Sequence, residues 1–158
     1  MNESTNLIAY AGAYANANDA KRDFEAIKDA HRKSWIGTYD AALVAKDLDG
    51  KVRGLDTDAT QRTTGAKAGA IVGAVLAMIF PPTVLVAATV GAATGAAVGN
   101  LSKGFSKADV KELAELLYKG ETGIVLVAEA TFDAGAEKLM KKARKFAKKA
   151  LSEVATPA

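Results

Sequence analysis

The chain contains no cysteine and a single histidine, His31, among its 158 residues. The first absence excludes a disulfide framework, a thiol nucleophile and a thiolate-ligated zinc. The second leaves too few imidazoles for a multi-histidine metal site or a Ser-His-Asp triad. Aromatic residues are scarce, at 6%. Residues 1–14 hold an acidic Glu3 and a broken apolar run with no basic start, so no secretory signal is expected there. No metal or cofactor is expected, and no enzyme class is indicated.

What is present is small and apolar. Apolar residues make up 49%, charged residues 25%, and there are 14 glycines, which suits one globular domain over residues 1–158 built on close backbone packing. Charge is unevenly spread. Residues 1–133 carry 14 lysines and arginines against 16 acids, whereas residues 134–158 carry seven against two, net +5. The basicity is therefore one terminal segment and not a field over the whole protein.

Periodicity divides the chain into elements. Leu7–Tyr14 (LIAYAGAY) reads as a buried strand. Asn18 and Asp19 offer N-cap oxygens for a helix whose face is Ala20, Phe24, Ile27 and His31, ending near Ser34. Ile36–Asp47 and Lys51–Asp58 read as two strands joined at Asp49-Gly50, a pair suited to a tight hairpin. Ser106–Asp109 resembles a capping box, opening a helix with Val110, Leu113, Leu116 and Leu117 on one face and Gly120 as its stop. Glu121–Thr131 is the most strand-like run in the chain. The expected order is β-α-β-β-α-β, a ferredoxin-like α+β domain with both helices on one sheet face, followed by a basic helix over residues 134–154.

Between the third strand and the second helix lies an insertion. From Ala68 to Ser102, 35 consecutive residues carry no charge. Gly65, Gly69 and Gly73 recur every fourth residue, as do Gly91, Gly95 and Gly99 on the far side of Pro81 and Pro82. This spacing predicts two helical arms over residues 65–101, each with a small-residue stripe where another helix can approach closely, and a bend at the prolines. Each glycine inside a helix costs about 1 kcal/mol relative to alanine, so tight helix–helix contact is the physical candidate for offsetting it. Two settings suit such a hairpin. One is a membrane, with Arg62, Lys67, Lys103 and Lys107 flanking it on the cytoplasmic side. The other is the interior of a soluble homo-oligomer.

Seven of the twelve residues in Lys138–Lys149 are basic, with Leu139, Ala143, Phe146 and Ala150 at helical spacing between them. Such a helix suits anionic lipid headgroups, with Lys141, Lys145 and Lys148 as the contacts. A solvated helix is the plainer alternative. Nucleic acid fits less well, because Phe146 is the only aromatic available for stacking.

The remaining candidates read as structure before chemistry. His31 continues an apolar helix face. Asp47-Leu48-Asp49-Gly50 lacks the further ligands of a calcium loop, and Thr63–Lys67 does not meet the phosphate-loop spacing. Asp56, Asp58, Arg62 and Lys67 form a charged rim, and Trp35 and Tyr39 are core candidates.

The stretches DAHRKSWIGTYDAALVAKDLDGKVR, QRTTGAKAGAIVGAVLAMIFPPTVLVAATVGAATGAAVG and KGFSKADVKELAELLYKGETGIVLVAEATFDA together resemble the bacterial family known as domain of unknown function 1269. The likeness runs from Ala26 to Asp133, and WIGTYDAA and IFPPTVL are its most specific parts. The resemblance implies a membrane-protein label and no established activity. The resulting expectation is a non-enzymatic, self-associating protein at the cytoplasmic face of a membrane. Its alternatives are a soluble homo-oligomer with the hairpins inside, or a small-molecule binder or enzyme using a cleft beside the sheet.

Overall fold

A computed structural model describes residues 4–5, 7–33, 39–59, 75–76, 79–80, 83–86, 107–129, 133–150 and 154–155. The elements are β1 (Ser4–Thr5), β2 (Leu7–Tyr14), α1 (Ala17–Arg32), β3 (Tyr39–Lys46), β4 (Val52–Ala59), β5 (Leu85–Val86), α2 (Lys107–Leu116), β6 (Thr122–Glu129), α3 (Asp133–Leu139), β7 (Lys145–Ala150) and β8 (Val154–Ala155). The main sheet has the order β5-β4-β3-β6-β2-β7. Its five longer strands pair antiparallel, and the two-residue β5 joins β4 in parallel. The fold is α+β. Both β2 and β3 are antiparallel to β6, so they run parallel to each other with β6 between them.

The expected strands and helices up to β6 are found, but a further strand, β5, enters between β4 and α2, and neither the element order nor the layers bear out the ferredoxin-like expectation. Side chains alternate across a strand, so β2 sends Tyr10 and Tyr14 to one face and Ala9, Ala11 and Ala13 to the other. The tyrosine face packs on α1 and α3 through Phe24, Ile27, Ala136 and Met140. The alanine face packs on α2 through Leu113, Leu116 and Leu117. The two helices of the motif therefore cover opposite faces, not one. The reason lies in β3 and β6, where Ala41–Val44 and Ile124–Ala128 are buried without a break. Strands buried on both sides need a layer on each.

Local chemistry explains the element ends. Asn16, not Asn18 or Asp19, caps α1: its Oδ1 accepts the Asn18 N–H at 2.8 Å. The β3–β4 hairpin turns where expected, with Gly50 at φ +90° and the Gly50 N–H donating to the Asp47 carbonyl at 3.0 Å. Register slips between Leu43 and Val44, leaving Leu55 as the extra residue of a bulge, and it is exposed. Gly120, at φ +84°, turns the chain after α2 into β6.

The C-terminal segment is the clearest correction. Among the described residues of this segment helix is confined to Asp133–Leu139, and Lys145–Ala150 is an edge strand beside β2, where residues 134–154 were expected to form one basic helix. The Arg144 N–H donates to the Ala13 carbonyl at 2.7 Å and leads into the ladder. Phe146 then stacks on Tyr10 with centroids 6.0 Å apart, while Ala147 is buried on the opposite face. Helical and alternating patterns both fit this lysine-rich stretch. The unsatisfied edge of β2 decides between them, as tertiary context overrides local propensity.

Candidate functional site

The described part of the uncharged insertion is built into the domain. Val75 and Leu76 are fully buried, and Ile79 and Phe80 are buried beside them against α2 and the alanine face of the sheet. The Phe80 N–H donates to the Leu76 carbonyl at 2.8 Å, one helical turn. After the prolines the chain is extended: the Val52 N–H donates to the Val84 carbonyl at 2.9 Å, and Leu85 and Val86 pair with Val52 and Arg53. A helical second arm was expected from Thr83, but β5 occupies its start. Leu85 and Val86 are strand formers that emerge from a proline pair beside the open edge of β4. Gly65, Gly69, Gly73, Gly91, Gly95, Gly99, Pro81 and Pro82 lie outside the described residues, as do Trp35, Arg62 and Thr63–Lys67 and the side chain of His31. No helix among the described residues is long and apolar enough to cross a membrane.

The basic candidates are separated by the strand geometry. Lys141 is exposed in the turn before β7, and Lys145 and Lys148 lie on opposite faces of that strand. No helical face collects the three. Instead, Lys145 joins Lys46 from the end of β3 and Lys119 from the turn after α2 around an open groove of about 780 Å³. Ala114, Glu115, Leu117 and Tyr118 complete its walls. The Lys46 ammonium is fixed by donating to the Leu117 carbonyl at 3.2 Å. Sequence reading missed this groove because its lysines come from three distant elements.

An ion pair flanks the groove. Arg144 donates to Glu121 from Nε at 2.6 Å and from Nη2 at 2.8 Å, and Nη2 also reaches the Leu116 carbonyl at 2.9 Å. The guanidinium lies 4.3 Å from the centroid of the Tyr118 ring. The Tyr118 N–H donates to Glu121 at 2.8 Å. The Arg144 hydrogen bonds, helped by that N–H, hold the Glu121 carboxyl below its ordinary value of 4.5, against the opposing effect of burial. A lowered folded-state value means that this stabilisation is full above the ordinary value and is lost as pH falls through the folded one. We expect Glu121→Gln to unfold at lower urea than wild type at neutral pH, with the gap narrowing as pH falls below the ordinary carboxyl value of 4.5. A pH-independent gap would show that the carboxylate charge is not the source.

Asp23 is a second polar centre inside the core. It is buried on α1, where Oδ2 accepts the Tyr14 hydroxyl at 2.9 Å and the Lys142 N–H at 3.0 Å. Burial, and then the Asp23 carboxylate, push the Tyr14 hydroxyl above the ordinary tyrosine range. Elsewhere the charged candidates are structural. Asp47 binds Arg53 at 2.7 Å, and Asp56 binds Lys28 at 2.7 Å. Asp58 accepts from the Tyr39 hydroxyl, and Tyr39 is a core residue as expected. No cluster of three or more metal-ligating side chains occurs among the described residues.

Taken together, these features define a small α+β domain with helices on both sheet faces and the middle of an uncharged insertion folded into one of them. The chain belongs to the family described as Protein of unknown function (DUF1269), whose model matches residues 65–156. That stretch holds the insertion, α2, β6, α3 and β7, and each of the groove residues named above except Lys46. No curated protein matches the chain. No solved structure matches it.

Proposed function

We propose that this is a non-enzymatic, self-associating protein whose glycine-spaced insertion packs against protein. The observation that carries the reading is the burial of Val75, Leu76, Ile79 and Phe80 in the domain's own core, in the middle of a 35-residue stretch without charge. With the described part of the insertion covered by its own domain, the small-residue stripes that flank it in sequence would serve contact with a second copy. Gly73 and Gly95 are then packing positions, where a bulky side chain would hold backbones apart. Gly73→Leu and Gly95→Leu should each reduce the assembly mass measured by size-exclusion chromatography with light scattering. An unchanged mass for both would contradict self-association through these stripes.

Anchoring at the cytoplasmic face of a membrane is the second reading. It is supported by the length of the uncharged run and by Arg62, Lys67, Lys103 and Lys107 around it. Retention in the pellet through a carbonate wash would favour it.

A further inference from the structure

The groove beside the Glu121–Arg144 pair has an unusual charge balance. Around the rest of the sheet several cations are neutralised locally: Lys28 by Asp56, Arg53 by Asp47 and Lys149 by Glu112 at 2.5 Å. Lys46, Lys119 and Lys145 border one groove, and no carboxylate among the described residues pairs with any of them. Among the described residues the groove wall carries one acid, Glu115, so the charged side chains described there sum to +2.

Two of the lysines have no evident structural duty. Lys46 satisfies the Leu117 carbonyl just beyond α2, a common use of lysine near a helix C-terminus. Lys119 and Lys145 are exposed and donate to no acceptor among the described residues. Holding three like charges around one open space is unfavourable unless solvent or an anion screens them. The Tyr118 side chain, 57% exposed on the same wall, adds a phenol that can donate a further hydrogen bond.

We propose that this groove is a binding site for a phosphate group, with the ammonium groups of Lys46, Lys119 and Lys145 as its ligands. Lysine serves phosphate as a compact point charge with three donors, and three of them can meet separate oxygens. The volume admits a small phosphorylated molecule or a lipid headgroup entering from solvent. The site does not depend on self-association, because all of its walls come from one chain.

The test uses the full chain and two probes at low ionic strength: inorganic pyrophosphate by isothermal titration calorimetry, and phosphatidylcholine vesicles containing phosphatidylglycerol by co-sedimentation. Lys119→Gln/Lys145→Gln removes two groove charges from exposed positions. Lys141→Gln/Lys142→Gln removes the same charge from the turn before β7 and serves as the control. Circular dichroism and melting temperature establish that both fold. The groove pair should weaken binding about tenfold or more, and the control by less than about twofold. Binding of pyrophosphate with this pattern identifies a free phosphorylated ligand, and binding of vesicles alone with this pattern identifies a headgroup. Absence of binding to both probes overturns the site. Equal weakening by the two pairs, or none by the groove pair, also overturns it.

Discussion

Replacing Leu76 or Phe80 with alanine should destabilise the whole domain by about 2–5 kcal/mol, the usual cost of emptying a well-packed core position. Both side chains are buried against α2 and the alanine face of the sheet, Leu76 with no exposure at all and Phe80 with 6%. The face they cover is lined by Ala9, Ala11 and Ala13, which have no longer side chains to fill the space left behind. Leu48→Ala, at a position 80% exposed, should change stability by less than about 0.5 kcal/mol. Urea unfolding followed by circular dichroism measures all three. If the first two variants unfold like wild type, the insertion is not part of the core.

Asp23→Ala should cost about 2–4 kcal/mol, because it strands the Tyr14 hydroxyl and the Lys142 N–H without their shared acceptor. The carboxylate joins three pieces of chain: β2 through Tyr14, α1 through its own backbone, and the α3–β7 connection through Lys142. Asp23→Asn keeps an acceptor oxygen and should lose far less, and Tyr14→Phe should lose about 1 kcal/mol. Comparable losses for the alanine and asparagine variants would show that the carboxylate charge accounts for the loss and that a neutral acceptor oxygen cannot replace it.

Elements whose signal was local were legible in the sequence. Leu7–Tyr14 is a strand over its expected length, Ala20, Phe24 and Ile27 face the core, and Gly50 and Gly120 take the positive φ their turns require. The uninterrupted apolar runs in β3 and β6 also held the evidence for two covered faces, since a one-sided sheet would alternate. Features set by distant partners were not legible. Lys145–Ala150 carries spacings compatible with helix and with strand, and only the open edge of β2 selects the strand. The strand then separates Lys145 from Lys148 and brings Lys145 to Lys46, 99 residues earlier in the chain. Likewise, nothing in the apolar text of Val75–Phe80 distinguishes burial under lipid from burial under α2.

That distinction is the centre of the account, and the absence of native cysteine makes it measurable. Ile79→Cys places a single thiol at a core position of the insertion, 5% exposed. Labelling with a water-soluble maleimide is followed on membranes, on detergent-solubilised protein and across a urea titration. The account predicts a thiol protected in all folded samples, with or without detergent, that becomes reactive in the same urea range in which circular dichroism reports loss of the domain. A thiol that reacts once detergent replaces lipid, while the domain is still folded, would contradict it.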